Sequence, residues 1–194
     1  MNREGTCNAL PTIETERLIL RKVTKQDAKD MYAYCSDPAV TKFVTWDTHR
    51  SLSDTEAFVE FILTNYKKKD IAPWGMEHKK TGKVIGTIDL ASWKPQHQSA
   101  EIAYCIHQDF WGEGLTTEAA KAILAFGFTN MDLVRIQARC LVANIGSERV
   151  MEKIGMSFEG IIRKGMLVKG RHEDLKLYSI LKEEFTAIKC GRLV

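Results

Sequence analysis

Trp111-Gly112-Glu113-Gly114-Leu115-Thr116 follows a short apolar run and leads into a helical pattern. The start of a helix has free backbone N–H groups and a partial positive charge. Glycines let a ligand approach that backbone closely. Such a turn can cradle a phosphate or pyrophosphate without a lysine. The alternative is a plain glycine turn joining strand to helix. Two nucleotide signatures do not fit, because Thr117 stands at the third glycine of a dinucleotide fingerprint and no P-loop lysine–serine pair is present. Upstream, Glu101 puts a carboxylate inside the otherwise apolar run 100–106. Burial there would raise its pKa toward the range of a general base. A rim position, or an ion pair with an arginine such as Arg139, is the alternative.

These residues need a scaffold, and the apolar spacing describes one. Residues 18–23 read as a first strand. Ala28, Met31, Tyr32 and Cys35, then Ala57, Phe58, Phe61 and Ile62, recur at helical spacing and predict helices over 25–35 and 53–66, with Thr24 and Ser53 as N-caps. The polar, aromatic-bearing stretch 41–52 reads as an ordered loop between them. Residues 74–78, 84–90 and 100–106 predict a meander of three strands. The helix after the glycine turn is expected over 117–128. Val134, Ile136, Ala138 and Cys140 alternate with polar residues and mark a strand over 134–142. Asn144 caps a short helix that Gly155 stops. A hairpin of 158–168 with 172–181, turned at Lys169-Gly170, precedes a last helix over 182–189. The order β-α-α-β-β-β-α-β-α-β-β predicts an α/β (α+β) domain over 13–194, behind a loosely held polar end at 1–12.

The 194 residues are 44% hydrophobic and 27% charged, an ordinary globular composition. A net charge of +3 gives no electrostatic argument for nucleic acid. No apolar run is long enough to cross a membrane, and the first residues carry no apolar leader. The five cysteines (Cys7, Cys35, Cys105, Cys140, Cys190) are odd in number and lack a C-x-x-C pair, and the five histidines are scattered. Reduced thiols, a cytoplasmic location and no metal centre are expected.

The run Ala100-Glu101-Ile102-Ala103-Tyr104-Cys105-Ile106 and the glycine turn through Thr117-Glu118-Ala119 resemble, in order and spacing, the acyl-CoA-binding core of the GNAT N-acetyltransferases. Asn144-x-x-Ser147-x-x-Val150-Met151-Glu152-Lys153-x-Gly155-Met156 looks like the next helix of that family. The opening Thr15-Glu16-Arg17-Leu18-x-Leu20-Arg21 is similar to the ribosomal-protein N-terminal acetyltransferase branch. So is the ending with Glu159-Gly160, Gly170, Asp174 and Tyr178-Ser179-Ile180-Leu181. The resemblance runs from about Ile13 to Phe185. It implies a single-domain GNAT-like fold, a mixed, mostly antiparallel sheet of about six to seven strands flanked by about four helices.

The resemblance also implies roles. Acetyl-CoA, the co-substrate, would lie between splayed strands 100–106 and 134–142. Its pantetheine would pair with the backbone of Tyr104, Cys105 and Ile106, near whose N–H groups the oxyanion would form. Its pyrophosphate would rest on the amides of Trp111, Gly112, Glu113, Gly114, Leu115, Thr116 and Thr117. Asn144 would cap its helix and touch the coenzyme arm. Glu101 would be the base, and Ser147 would hydrogen-bond the departing sulfur, since Met151 stands where many relatives have a tyrosine. For Ser147 the alternative is a first-turn serine capping its own helix. Asp109 stands where the family often has Gln or Arg, and Met166 where some members carry a carboxylate. Cys105 has no activating partner at useful spacing, so no covalent intermediate is expected. The implied reaction is direct acetyl transfer to a primary amine, the N-terminal α-amine of a (ribosomal) protein. Alternatives are a small amine (polyamine, amino acid, aminoglycoside) or a coenzyme-binding module without catalysis. Trp46, Trp74, Trp93 and Trp111 could line the acceptor cleft or pack in the core, and Tyr178 could touch the acceptor. A homodimer is possible through exposed helices or the hairpin. No nucleic acid and no membrane partner is expected.

Overall fold

The computed structural model describes residues 10–68 and 72–189. Cys7, Cys190 and most of the polar N-terminal end lie outside the described residues. The strands are β1 (Ile13–Glu14), β2 (Leu18–Lys22), β3 (Trp74–His78), β4 (Lys83–Lys94), β5 (Ser99–Ile106), β6 (Arg135–Leu141), β7 (Ser157–Val168) and β8 (Arg171–Leu181). They form one eight-stranded sheet in the order β1-β2-β3-β4-β5-β6-β8-β7. The helices are α1 (Ala28–Cys35), α2 (Pro38–Thr41), α3 (Leu52–Lys68), α4 (Leu115–Asn130), α5 (Ile145–Lys153) and α6 (Lys182–Lys189). Neighbouring strands are antiparallel except β5 and β6, which run parallel. This is the mixed, mostly antiparallel α/β fold expected, with more pieces.

The extra strand is β1, two residues paired as Ile13↔Leu20 and Glu14↔Ile19, too short for any alternation to show. The extra helix α2 starts at the expected chain break. Asp37 Oδ1 accepts the Ala39 amide at 2.8 Å and Pro38 takes the first helical position, where its missing N–H costs nothing. Ser53 is not the cap of α3. The helix starts at Leu52, and Asp54 accepts the amides of Arg50 and Ser51 at 2.8 and 3.1 Å. Strand β4 runs on to Lys94, through a register shift between Ala91 and Lys94.

Period-two alternation divides the sheet into two faces. Ile88 and Leu90 of β4, Ala100, Ile102 and Ile106 of β5, Ile136 and Ala138 of β6 and Ile180 of β8 pack against α4, which contributes Leu115, Ala119, Ile123, Leu124 and Phe128. Each fully buried Leu, Ile or Phe there is worth roughly 1.5–3 kcal/mol. The opposite face carries a second core, Val23, Met31, Tyr34, Cys35, Val59, Ile62 and Val84, under α1 and α3. Gly86 sits at the β4–β5 seam, where an added Cβ would lie 2.3 Å from the Cys105 carbonyl oxygen. Only glycine lets these strands come so close.

The parallel pair is short. Strands β5 and β6 match only from Ser99↔Arg135 to Glu101↔Gln137. Beyond that, β5 stays with β4 to Ile106 and β6 stays with β8 to Leu141, so the two strands part. The hairpin β7–β8 reaches back across the molecule, and Lys169 at its turn donates from Nζ to the Thr41 carbonyl at the end of α2 (2.8 Å). Among the described residues no helix is long and apolar enough to cross a membrane, and no cluster of metal-ligating side chains occurs.

Candidate active site

The parted strands leave backbone groups of β5 and β6 without a strand partner, the situation in which an extended ligand can pair as an extra strand. On the α4 face of this gap, Tyr104 and Ser147 meet, with 3.0 Å between their hydroxyl oxygens. The Tyr104 hydroxyl also reaches the Ser147 carbonyl at 3.2 Å. The Ser147 hydroxyl is not its helix's cap. Asn144 fills that role, accepting the Ser147 amide at 3.1 Å. Burial pushes the Tyr104 phenol above its ordinary pKa. The sequence drew attention to the backbone of Tyr104, and its side chain is the part it missed. The available signal was alternation, which puts Tyr104 on the same face as Ile102 and Ile106. Met151, four residues on from Ser147 in α5, is fully buried.

The glycine turn is open above and anchored below. An added Cβ at Gly112 (φ +82°) would meet nothing within 4 Å, and Gly114 (φ +79°) is the N-cap of α4. The first amides of α4, from Leu115 to Thr117, are the ones a helix leaves unpaired. Trp111 donates its indole N–H to the Ile106 carbonyl at 3.0 Å, tying the turn to the end of β5 and engaging one of the expected coenzyme-facing carbonyls. Glu118 is the anchor. Its Oε1 accepts from the Thr15 hydroxyl (2.6 Å) and the Arg17 amide (2.8 Å), and its Oε2 from Arg17 Nε (2.7 Å). Arg17 Nη1 also holds the Glu113 carbonyl at 2.9 Å. Burial opposes ionisation of Glu118, but these hydrogen bonds prevail and hold it below the usual carboxylate range. The side chain of Asp109 is solvent-exposed and does not enter the turn. Open space over Gly112 beside unpaired helix amides fits a pyrophosphate.

The opposite face is built from side chains. Glu101 accepts from Arg139 Nε at 2.9 and 3.0 Å and from Gln137 Nε2 at 3.1 Å, so the ion pair anticipated as an alternative is present. Two ladder positions away, on β4 and on the same face, lies a carboxylate that the sequence reading passed over. Asp89 stands opposite Ala103, its Oδ1 buried without a hydrogen-bond partner. Burial first, then the negative charge of Glu101, push it up to about 6, against one hydrogen bond from the Ala91 amide. The signal was the one used for Glu101, an acid inside a β-branched and apolar run. Both carboxylates line a cleft of about 510 Å³ that extends under Phe43, Trp46, Phe58 and Phe61. Trp46 stacks on Phe58 with ring centroids 6.4 Å apart. Of the other tryptophans, Trp74 is buried, donating to the Pro11 carbonyl and packing edge-on to Phe126, and Trp111 belongs to the glycine turn. Trp93 is packed against the core. Tyr178 is buried and donates to Glu148 at 2.9 Å. Burial pushes the Cys105 thiol up, and it contacts the Thr87 hydroxyl at 3.5 Å.

Comparison with known proteins agrees with this architecture. Residues 17–157 match the family described as acetyltransferase (GNAT) domain, and the chain belongs to that family. It is therefore an acetyltransferase. YoaA of Bacillus subtilis, named an uncharacterized N-acetyltransferase, is 33% identical over 89% of this chain and 97% of its own length. YdaF of the same organism, named a putative ribosomal N-acetyltransferase, is 32% identical over 71% of this chain and 76% of its own. A solved GNAT acetyltransferase from Bacillus anthracis superposes with a TM-score of 0.80 at 31% identity, over 89% of this chain and 99% of that one.

Proposed function

We propose that the protein transfers the acetyl group of acetyl-CoA to a primary amine by direct attack, and that the amine is the α-amine of a protein, ribosomal by analogy with the name given to YdaF. The parting of β5 and β6 carries this reading, because it opens one passage between the two faces of the sheet. The coenzyme is expected on the α4 face, with its pyrophosphate on the amides of residues 111–117 and its pantetheine along Tyr104–Ile106. The Ser147 hydroxyl, oriented by Tyr104, donates to the sulfur as it leaves. The acidic side of the cleft, Glu101 with Asp89, draws the ammonium and receives its proton.

A small amine is the second reading. The Lys169–Thr41 bond joins the hairpin tip to the end of α2, and Met166 and Phe43 from these two sides line the cleft. A bounded cleft favours a short acceptor. Calorimetric titration with acetyl-CoA, with ATP and NAD as controls, tests the coenzyme. A dissociation constant below about 100 μM, near −5.5 kcal/mol, is expected for acetyl-CoA alone. A mass-shift screen of peptides and small amines then tests the acceptor, and acetylation confined to small amines would remove the ribosomal reading.

A further inference from the structure

Among the described residues, the charged side chains lining the cleft are Asp89, Glu101 and Arg139. Glu101 and Arg139 neutralise each other in a close pair. Asp89 lines the cleft, is only partly exposed and makes no ion pair among the described residues. A half-buried carboxylate without a cationic partner is a site that an ammonium entering the cleft would stabilise. The same cleft presents aromatic side chains, of which Phe61 is 60% exposed. Aromatic faces hold apolar bodies and tolerate a neighbouring cation.

We propose that Asp89 seats the acceptor ammonium and takes its proton, and that the acceptor carries this single positive charge beside an apolar body. The inference rests on the transferase reading and refines its acceptor site. One uncompensated carboxylate matches one cation. A polyamine would bring further cations and find no second unpaired acid among the described residues of the cleft. The chemistry on offer is shared by two sources, a peptide whose first residue is apolar and a free arylalkylamine.

The proton balance assigns the remaining work. The bound R–NH3⁺ must lose two protons to become the amide nitrogen. Asp89 accepts the first, freeing the lone pair, and later returns it to solvent. The nitrogen then forms its bond to the acetyl carbon as the carbon–sulfur bond breaks with its electron pair on sulfur. The second proton passes to that sulfur through the Ser147 hydroxyl, giving the free thiol. Asp89 suits the first step because its carboxyl titrates at about 6, ionised at neutral pH yet basic enough to hold a proton briefly. The groups set around it are Glu101 and Cys105 on β5 and Arg139 on β6. The Cys105 thiol is pushed up and stays neutral.

The test measures thiol release with phenethylamine, a Phe-first tripeptide, an Asp-first tripeptide and spermidine, for the parent protein, Asp89→Asn and Glu101→Gln. Acetyl-CoA affinity is measured by calorimetry in parallel. The expected result is a kcat/KM at least tenfold higher for the phenethylamine or Phe-first arm than for spermidine, the better of the two naming the source. Asp89→Asn should lower kcat by about 100-fold and abolish the acidic limb near pH 6, with acetyl-CoA affinity unchanged. A preference for spermidine overturns the proposal, as does an Asp89→Asn enzyme that keeps rate and limb while Glu101→Gln loses them. Intact acetyl-CoA binding with no turnover of either apolar-bodied amine overturns the acceptor site and leaves the transferase reading standing. Failure of the parent protein to bind acetyl-CoA overturns both.

Discussion

The two faces of the sheet are built differently. On the α4 face the candidate coenzyme site is mostly backbone: a glycine turn, a helix start and a strand edge that has lost its neighbour. Its side chains, Glu118, Arg17 and Trp111, hold that backbone in place. The cleft that opens on the α1/α3 face is made mostly of side chains from β4, β5, β6, α3 and the segment after α2, and it reaches through the gap to Ser147 and to Met166 of the hairpin. Backbone recognition depends on chain conformation, so glycine and spacing set it. Side-chain recognition depends on which residues happen to meet, so tertiary structure sets it.

Damage to the two faces should therefore separate cleanly. The largest effect is expected for Gly114→Val. A β-branched residue at φ +79° is strained by about 1–3 kcal/mol and crowds the helix start, so acetyl-CoA affinity should fall by about 100-fold in a calorimeter. A fold-preserving variant with undiminished affinity would break the comparison. Ser147→Ala should come next, lowering kcat about tenfold or more at unchanged acetyl-CoA affinity, since a hydrogen bond to charge developing on sulfur is worth about 1.5–3 kcal/mol. Trp46→Ala should raise the acceptor KM several-fold, by loss of an aromatic contact of about 0.5–1.5 kcal/mol beyond its area, and leave coenzyme binding alone.

The last effect is on stability, and it has a defined sign. The Asp89 carboxyl is raised from 3.8 to about 6 in the folded chain. The folded state therefore binds its proton more tightly than the unfolded state, and ionisation above pH 6 costs folding free energy. Asp89→Asn should be more stable than the parent at pH 8, by up to about 3 kcal/mol or several degrees in Tm. The advantage should shrink as pH falls from 6 and vanish below about 4, which thermal melts across pH would show.

Much of the coenzyme side was legible in the residues. The turn, the Asn144 cap and the order of elements can be read from glycines, caps and period-two runs, and the parting of strands 100–106 and 134–142 is what the family resemblance implies. Helix α4 begins at Leu115 rather than 117 because Gly114 itself supplies the cap. Less was legible opposite. Asp89 looked like any polar break in a strand until Ala103 and Glu101 were placed beside it. Strand β1 has two residues and helix α2 four, below the length at which periodicity speaks. Nor does spacing reveal that Lys169 reaches Thr41 across 128 positions of chain.

Glu118 also bears on how the molecule assembles. Its bonds to Thr15 and Arg17 close loops of 103 and 101 residues. Closing so long a loop is entropically unfavourable and is repaid only when distant contacts form together. The turn is therefore anchored only where the intervening strands and helices are in place. A ligand gripping the anchored turn would bind the folded chain in preference to the unfolded one, and would raise the melting temperature as its concentration rises. In this fold, occupancy of the turn doubles as a report on completion of the long-range architecture.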